Sequence, residues 1–238
     1  MRRALLALAA AAALGVATST APELAVPVPL RGAPFVALLG PMRPLVAELL
    51  RLRFDRESFR GVERLDDAWN ALLLDPHRAD DFVHFGWHYL FDAGRRTTTL
   101  EERSACLDQG FALLRAGRAL HPESAHLPYA EALALDALAR HAEPRLVARL
   151  VPPGESIVRR VLADFALAFE RSSRDERERP YIVVEALQIA GRVLEAPGDG
   201  SVEDASLRDA AAALARVLLR SDELPETERS RLEALLGE

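Results

Sequence analysis

The chain of 238 residues has room for one domain of about 200 residues or for two smaller domains. Its net charge at pH 7 is −6, whereas nucleic-acid-binding proteins normally carry a basic balance or a basic stripe, so we expect no nucleic-acid partner. The single cysteine excludes an intramolecular disulfide. All 30 basic residues are arginine, which indicates a GC-rich genome, and the abundant alanine, leucine, arginine and glutamate favour helices.

The first 21 residues have the pattern of an export signal. Two arginines follow Met1, and residues 4–17 are then all apolar apart from one glycine, as in a secretory signal peptide. A helix over residues 4–17 spans about 21 Å, less than the roughly 30 Å hydrocarbon core of a membrane, which favours cleavage. Because residues 4–21 form a longer, weakly polar stretch, an uncut anchor that tethers the protein to the membrane remains an alternative. We therefore expect residues 1–21 to be a signal peptide or signal anchor, and the protein to be exported, either periplasmic or anchored in the inner membrane facing the periplasm.

The rest of the chain divides into a proline-rich spacer and a helical domain. Residues 22–41 contain five prolines, which forbid a continuous helix and predict an extended spacer. Over residues 42–238 the spacing of apolar residues predicts helices and no strand. The predicted helices cover residues 42–58, 62–74, 79–93, 99–120, 123–140, 154–171, 180–195, 202–221 and 225–236.

Small and aromatic residues recur at fixed spacings within these helices. The first motif consists of an aromatic residue, two spacers, a large apolar residue, glycine, two more spacers and tyrosine; its residues are Phe82, Phe85, Gly86 and Tyr89. The second motif lies in the helix near 99–120 and is closed by a proline; its residues are Gly110, Leu114, Gly117 and Pro122. A third and shorter motif consists of Ala68, Ala71 and Pro76, which have the spacing of Leu114, Gly117 and Pro122.

These motifs resemble the two helices of the tetratricopeptide repeat. The resemblance implies an all-α fold of antiparallel helix pairs, stacked as a short α-solenoid over residues 42–238. Small residues at Gly86, Gly110 and Gly117 would let paired helices lie close together, while the aromatic and leucine side chains fill the space between them. Gly86 and Gly110 are 24 residues apart, so the repeat is irregular. The chain is also similar to bacterial envelope proteins that combine an N-terminal hydrophobic segment with irregular repeats, from which no activity follows.

One stripe of polar residues is a candidate metal site. Asp81, His84, His88 and Asp92 fall on one face of the predicted helix 79–93, and two histidines with a carboxylate can hold a transition metal. The zinc-protease motif HExxH is absent, because Phe85 stands where its glutamate would be. A ligand-lining surface is a second interpretation. The simplest interpretation is that the stripe is the solvent-facing side of an amphipathic helix.

Three functions follow from these patterns. The export signal, the repeat motifs and the lack of a catalytic motif favour a non-catalytic scaffold or adaptor that binds other proteins in the bacterial cell envelope. The first alternative is a metal-dependent enzyme or metal-binding protein that uses His84 and His88. The second is a purely structural subunit of an envelope complex. For the scaffold we expect no catalytic residue, no cofactor and a protein partner that the sequence does not identify.

Overall fold

A computed structural model of the protein describes residues 39–59, 65–142, 144–150, 155–172, 179–198 and 201–237. The predicted signal or anchor segment 1–21, and the spacer as far as residue 38, lie outside the described residues. Within these ranges the fold is all helical and contains no strand, which confirms the predicted all-α class. None of the helices in these ranges is both long enough and apolar enough to cross a membrane.

Apart from α3, which passes into a π-helix after Trp87, the helices agree with the predicted ones to within three residues at each end. In chain order they are α1 Arg43–Phe59, α2 Leu65–Leu74, α3 Ala79–Trp87, α4 Leu100–Leu120, α5 His126–His141, α6 Ile157–Arg171, α7 Arg179–Glu195, α8 Val202–Leu219 and α9 Glu226–Leu236. A 3-10 turn, Gly40–Met42, precedes α1, and a four-residue helical turn, Pro144–Val147, follows α5.

The chain divides into two compact units, one of residues 1–122 and one of residues 123–238. In the first unit α1 packs on α2, and α3 packs on α4. In the second unit α5 packs on α6 and α7 on α8, while α6 also contacts α7 and α8. Helix α9 lies against α7 and α8. The expectation of a single helical domain over residues 42–238 remains a prediction.

Two helices begin at polar caps that the sequence supplies. The Thr99 side chain accepts a hydrogen bond from the Glu102 backbone N–H at 3.1 Å, and the Glu102 carboxylate accepts one from the Thr99 N–H at 3.2 Å. This reciprocal arrangement satisfies backbone donors that have no partner inside α4. Hydrogen bonds from the backbone N–H groups of Thr98 and Thr99 lower the pKa of Glu102. At the start of α8, the Ser201 side chain accepts a bond from the Asp204 N–H at 3.0 Å.

Helices α3 and α4 cross at two glycines. A Cβ atom added to Gly86 would lie 3.0 Å from Leu114 Cγ and 3.2 Å from the Gly110 carbonyl oxygen. A Cβ atom added to Gly110 would lie 2.5 Å from Leu90 Cγ and 2.9 Å from the Gly86 carbonyl oxygen. Gly86 contacts Leu114, whereas Leu90, four residues later in the chain, contacts Gly110, four residues earlier on α4. The two segments therefore run antiparallel.

The other residues of the first motif lie in the core around this crossing. Phe82 and Phe85 are fully buried, as is Leu114 of the second motif, and Tyr89 is nearly so. The Phe54 ring of α1 packs edge-on against the Phe85 ring, with 4.7 Å between their centroids. Phe54 therefore joins α1 to the α3–α4 pair.

The residues of the second and third motifs are buried, apart from Pro122. Ala68 and Ala71 are fully buried in α2. Gly117 is buried in α4, and its carbonyl accepts a bond from the His121 N–H at 2.8 Å. Pro76 is buried in the turn before α3, whereas Pro122 is exposed just after α4.

His121, which belongs to none of the three motifs, links the end of α4 to the turn that contains Pro76. His121 Nε2 lies 2.7 Å from the Pro76 carbonyl oxygen, and the His121 ring packs edge-on against Phe82 with 5.7 Å between ring centroids. Because a carbonyl oxygen can only accept, His121 donates this bond. It thus ties the end of α4 to the turn between α2 and α3.

The end of the predicted helix 79–93 differs from an α-helix. Residues His88–Ala93 form a π-helix that continues α3, and a last turn, Gly94–Arg96, follows it. The Gly94 N–H bonds to the Tyr89 carbonyl, five residues back. A π turn inserts one extra residue, which rotates the side chains that follow it relative to an unbroken α-helix. After this shift Ala93 and Gly94 are still buried, and the last turn packs on α4.

The glycine crossing makes a testable prediction. Gly110→Ala should lower the free energy of unfolding by about 1–3 kcal/mol, because the added methyl group would overlap Leu90 and press on the backbone of α3. Gly86→Leu should cost about 2–4 kcal/mol for the same reason. Urea unfolding followed by circular dichroism measures both changes.

Gly191 in the interior of α7 provides the matched control. A Cβ atom there would lie 3.7 Å from the Arg231 side chain, which is an ordinary contact distance. Gly191→Ala should therefore leave stability unchanged or raise it by up to about 1 kcal/mol, because alanine favours helix. Equal effects of Gly110→Ala and Gly191→Ala would contradict the close crossing.

Candidate functional site

Two of the four residues of the polar stripe are buried beneath α1, whereas His84 and Asp92 are more than half exposed. Asp81 and His88 are only 6% and 7% exposed. His84 Nε2 lies 2.8 Å from an Asp55 carboxylate oxygen on α1, and the His88 ring packs edge-on against Phe54 with 4.9 Å between centroids. The solvent-facing interpretation therefore fails for Asp81 and His88, which contact Arg51 and Phe54 of α1, and agrees with the exposure of His84 and Asp92.

Arg51 is the centre of the polar contacts between α1 and α3. Its Nε donates to Asp81 Oδ2 at 2.6 Å, and its Nη2 donates to Asp75 Oδ2 at 3.0 Å, in the turn between α2 and α3. The third nitrogen, Nη1, donates to Glu48 Oε2 at 3.1 Å within α1. Arg78 also contacts Glu48, at 3.3 Å. One buried guanidinium thus ties together α1, the turn and α3.

Burial and charge act in opposite directions on this cluster. Burial raises the pKa of Asp81, and the positive charges of Arg51 and Arg78 limit that rise. For Arg51, burial lowers the pKa, but the hydrogen bond to Asp75 and the charge of Asp81 outweigh burial, so the pKa lies above its ordinary value. Arg51 therefore stays charged, and a buried charge without its partners is costly.

The four candidate metal ligands are engaged separately. Asp81 binds Arg51, His84 pairs with Asp55, and His88 Nδ1 lies 3.7 Å from the exposed carboxylate of Asp92. Within the part of the chain that the structure describes, no three His, Cys, Asp or Glu side chains are grouped so that they could hold a metal ion. The stripe positions α1 on α3.

An open groove in the second unit is a surface that the sequence analysis did not predict. It has a volume of about 480 Å³ and lies between α7 and the segment that leads into α9. Its apolar lining consists of Pro180, Val183, Val184, Leu187, Leu224 and Pro225. Val184 is 51% exposed, and Tyr181, one turn earlier on α7, is 63% exposed. We call this surface the α7–α9 groove.

Charged side chains beside the α7–α9 groove are paired with one another. Arg231 Nη2 donates to Glu195 Oε1 at 2.6 Å, and Arg231 also reaches Glu228 at 3.5 Å. Arg179 donates from Nε to both carboxylate oxygens of Glu223 at 2.9 Å. These paired charges border the apolar lining, which is the larger part of the groove's surface.

A signal for the groove was present in the sequence. Tyr181, Val184 and Gln188 are spaced by three and four residues, so they share one face of α7. Two large apolar residues on a face that also carries glutamine indicate a partly exposed surface. The pairing of this face with Leu224 and Pro225 depends on tertiary packing, which the spacing does not show.

No protein-family model, curated protein or solved structure matches this chain. The function proposed below is therefore inferred from the chain's own residues and contacts.

The Arg51 cluster makes a prediction about stability and pH. Arg51→Met should lower the free energy of unfolding by about 2–4 kcal/mol at neutral pH, because it leaves Asp81 buried without its main positive partner. Arg56→Met on the same helix is the control. Arg56 is exposed and pairs with its neighbour Glu57, so a change within about 0.5 kcal/mol is expected.

The pH dependence separates charge from packing. Because the pKa of Asp81 is raised in the folded protein, its contribution to stability is present at low pH and is lost as pH rises through the folded pKa. Removing the Arg51 charge raises this pKa further. The stability difference between Arg51→Met and the parent should thus narrow as pH falls from about 7 toward about 5. A difference that stays constant with pH would mean that lost packing, and not the uncompensated carboxylate, causes the effect.

Proposed function

We propose that this protein is a non-catalytic interaction scaffold of the bacterial cell envelope, built from tetratricopeptide-like helix pairs. The observation that carries the proposal is the α7–α9 groove, an open apolar surface next to the exposed Tyr181 and Val184. Exposed apolar surface of this kind is costly in water and is typical of sites that bind other proteins. The protein partner would cover it.

The groove favours one mode of recognition. Strand addition requires the free edge of a sheet, and the described helices provide none. Proline-rich peptides dock in grooves lined by aromatic rings, whereas this groove is lined by valine, leucine and proline. An amphipathic helix of the partner, with two or three large apolar residues on one face, matches an aliphatic lining and a volume of about 480 Å³.

The contacts within the first unit support the repeat part of the proposal. The antiparallel crossing at Gly86 and Gly110 is the close helix pair that the tetratricopeptide motif requires. Phe54 and Arg51 connect α1 to α3, so the first helix pair of this unit contacts the second. Contacts of this kind between neighbouring pairs are how repeat proteins build a continuous core.

The cell-envelope part of the proposal rests on residues 1–21. A basic start followed by the apolar stretch 4–17 is read by the export machinery. With either a cleaved signal or a retained anchor, the helical units lie on the outer side of the inner membrane. The proline-rich residues 22–41 would then separate them from the membrane surface.

The groove can be tested by site-specific cross-linking. A photoreactive amino acid at Val184 should cross-link to a discrete protein in cells, because this side chain lies at the groove and is half exposed. Once that protein is identified and purified, Val184→Glu should weaken its binding at least about tenfold, since a charge would face an apolar ligand surface.

The control position is Glu203, which is exposed on α8. A photoreactive residue there should give no cross-link to the same protein. Equal labelling from both positions, or unchanged affinity of the Val184→Glu variant, would argue against the groove as the binding surface. Circular dichroism checks that the variant is folded.

Export is tested with the N-terminal segment alone. Residues 1–41 fused to alkaline phosphatase, which becomes active only outside the cytoplasm, should give an active fusion. Leu8→Arg with Ala12→Arg should abolish that activity, because two charges interrupt the apolar stretch. Equal activity of the two fusions would contradict export through this segment, and mass spectrometry of the mature chain shows whether the signal is cut.

A further inference from the structure

Helix α1 carries a second row of apolar side chains. Met42, at the end of the 3-10 turn, and Leu45, Leu49 and Leu52 of α1 are between 49% and 58% exposed. The core-facing residues of the helix are Ala47, Arg51, Phe54 and Ser58, which are all buried. At 100° per residue, the exposed row lies on the side of α1 opposite these buried residues. We call the four exposed residues the α1 stripe.

The spacing of the α1 stripe is that of a coiled coil. Its residues are separated by three, four and three positions, so they occupy alternating a and d positions of a heptad. A single row at this spacing matches a second helix at a shallow angle, with side chains of each helix fitting between those of the other. A helix with the same spacing is therefore the natural complement, and a second copy of α1 is one.

The charges beside the stripe select the orientation of that second copy. Glu48 and Asp55 occupy the g positions on one flank, and Arg53 occupies an e position on the other. In a parallel pair, each g residue faces the e residue five positions later on the partner, which joins Glu48 to Arg53. The same rule relates Asp55 to residue 60, which is arginine in the sequence and lies outside the described residues. An antiparallel pair would instead place acidic flank against acidic flank.

These flanking side chains have local contacts but remain accessible. Glu48 is bound by Arg51 and Arg78, Arg53 lies 3.3 Å from Asp67, and Asp55 pairs with His84. The side chains of Glu48, Arg53 and Asp55 are nevertheless 51%, 46% and 44% exposed. Each can therefore take part in a further contact across the stripe.

We infer that the protein forms a parallel homodimer in which the α1 stripes of two copies pack against each other. Glu48 of each copy then pairs with Arg53 of the other. Four apolar layers are a short interface, so the dimer is weak and depends on concentration. This inference does not use the α7–α9 groove and is independent of the function proposed above.

Disulfide cross-linking of the full chain, purified in mild detergent, tests the dimer and its orientation. The parent for this experiment carries Cys106→Ser, and two variants add either Leu45→Cys or Leu52→Cys. These positions are about 10.5 Å apart along the helix, at 1.5 Å per residue. In a parallel pair, both cysteines meet their own copies, so both variants should form disulfide-linked dimers on mild oxidation. An antiparallel pair cannot bring both positions together with their own copies.

Two further variants separate the stripe from other sources of association. The first variant is Val184→Cys, at a residue of similar exposure on α7. It keeps the N-terminal segment and the α1 stripe, and it should form no disulfide between copies. Adding Leu49→Glu to the Leu52→Cys variant should reduce the dimer yield at least about tenfold, because it buries a charge between the helices. Unchanged circular dichroism shows that the exposed substitution leaves the fold intact.

Several outcomes would overturn the inference. Cross-linking of only one of the two positions would contradict a parallel pair, and equal cross-linking of Val184→Cys would indicate non-specific association. Protection of both cysteines from alkylation without any intermolecular disulfide would show that something other than a second α1 covers the stripe.

Discussion

The first unit depends on the close approach of α3 and α4 at Gly86 and Gly110. With no side chain at either position, backbone meets backbone, and Leu90 and Leu114 each pack over the glycine of the opposite helix. A side chain at the crossing would separate the helices, and the core on both sides would lose its packing. Phe82 and Phe85, which are fully buried, lie on the same helix. The absence of a Cβ atom at these two glycines therefore sets the distance between α3 and α4, and α1 packs on this helix pair.

Two kinds of contact, apolar packing and charged hydrogen bonds, hold α1 on α3. Phe54 supplies apolar packing, and Arg51 supplies hydrogen bonds that reach Asp75 and Asp81. Hydrogen bonds to a buried guanidinium depend strongly on position, so Arg51 fixes the rotation of α1 about its own axis more narrowly than apolar contacts alone would. That rotation decides which side of α1 faces outward. The exposure of Leu45, Leu49 and Leu52 thus follows from the same cluster that buries Asp81.

The sequence predicted the helices well because their ends are marked by local signals. Proline, glycine and polar caps such as Thr99 act within a few residues, and apolar spacing shows which face is buried. The motifs that contain Gly86 and Gly110 also predicted that two helices lie close together at these residues. By contrast, the burial of Asp81 and His88 in the polar stripe was not predicted, because exposure was inferred from polarity alone. Asp81 and His88 are buried only because α1 brings Arg51 and Phe54 to them, and those residues lie some 30 positions earlier in the chain. The π-helix after Trp87 and the α7–α9 groove likewise depend on tertiary packing.

The two exposed apolar surfaces differ in what they can select. The α7–α9 groove is lined mainly by apolar side chains, so a partner is chosen mainly by shape and apolar contact. Beside the α1 stripe, acidic Glu48 and Asp55 lie on one flank and basic Arg53 on the other, a pattern that complements itself only in a parallel pair. A parallel pair places the N-terminal ends of both α1 helices at the same end of the interface. The proposed membrane anchor would permit this orientation, and confinement near a membrane would raise the effective concentration of one copy beside another, which lets a short interface be populated.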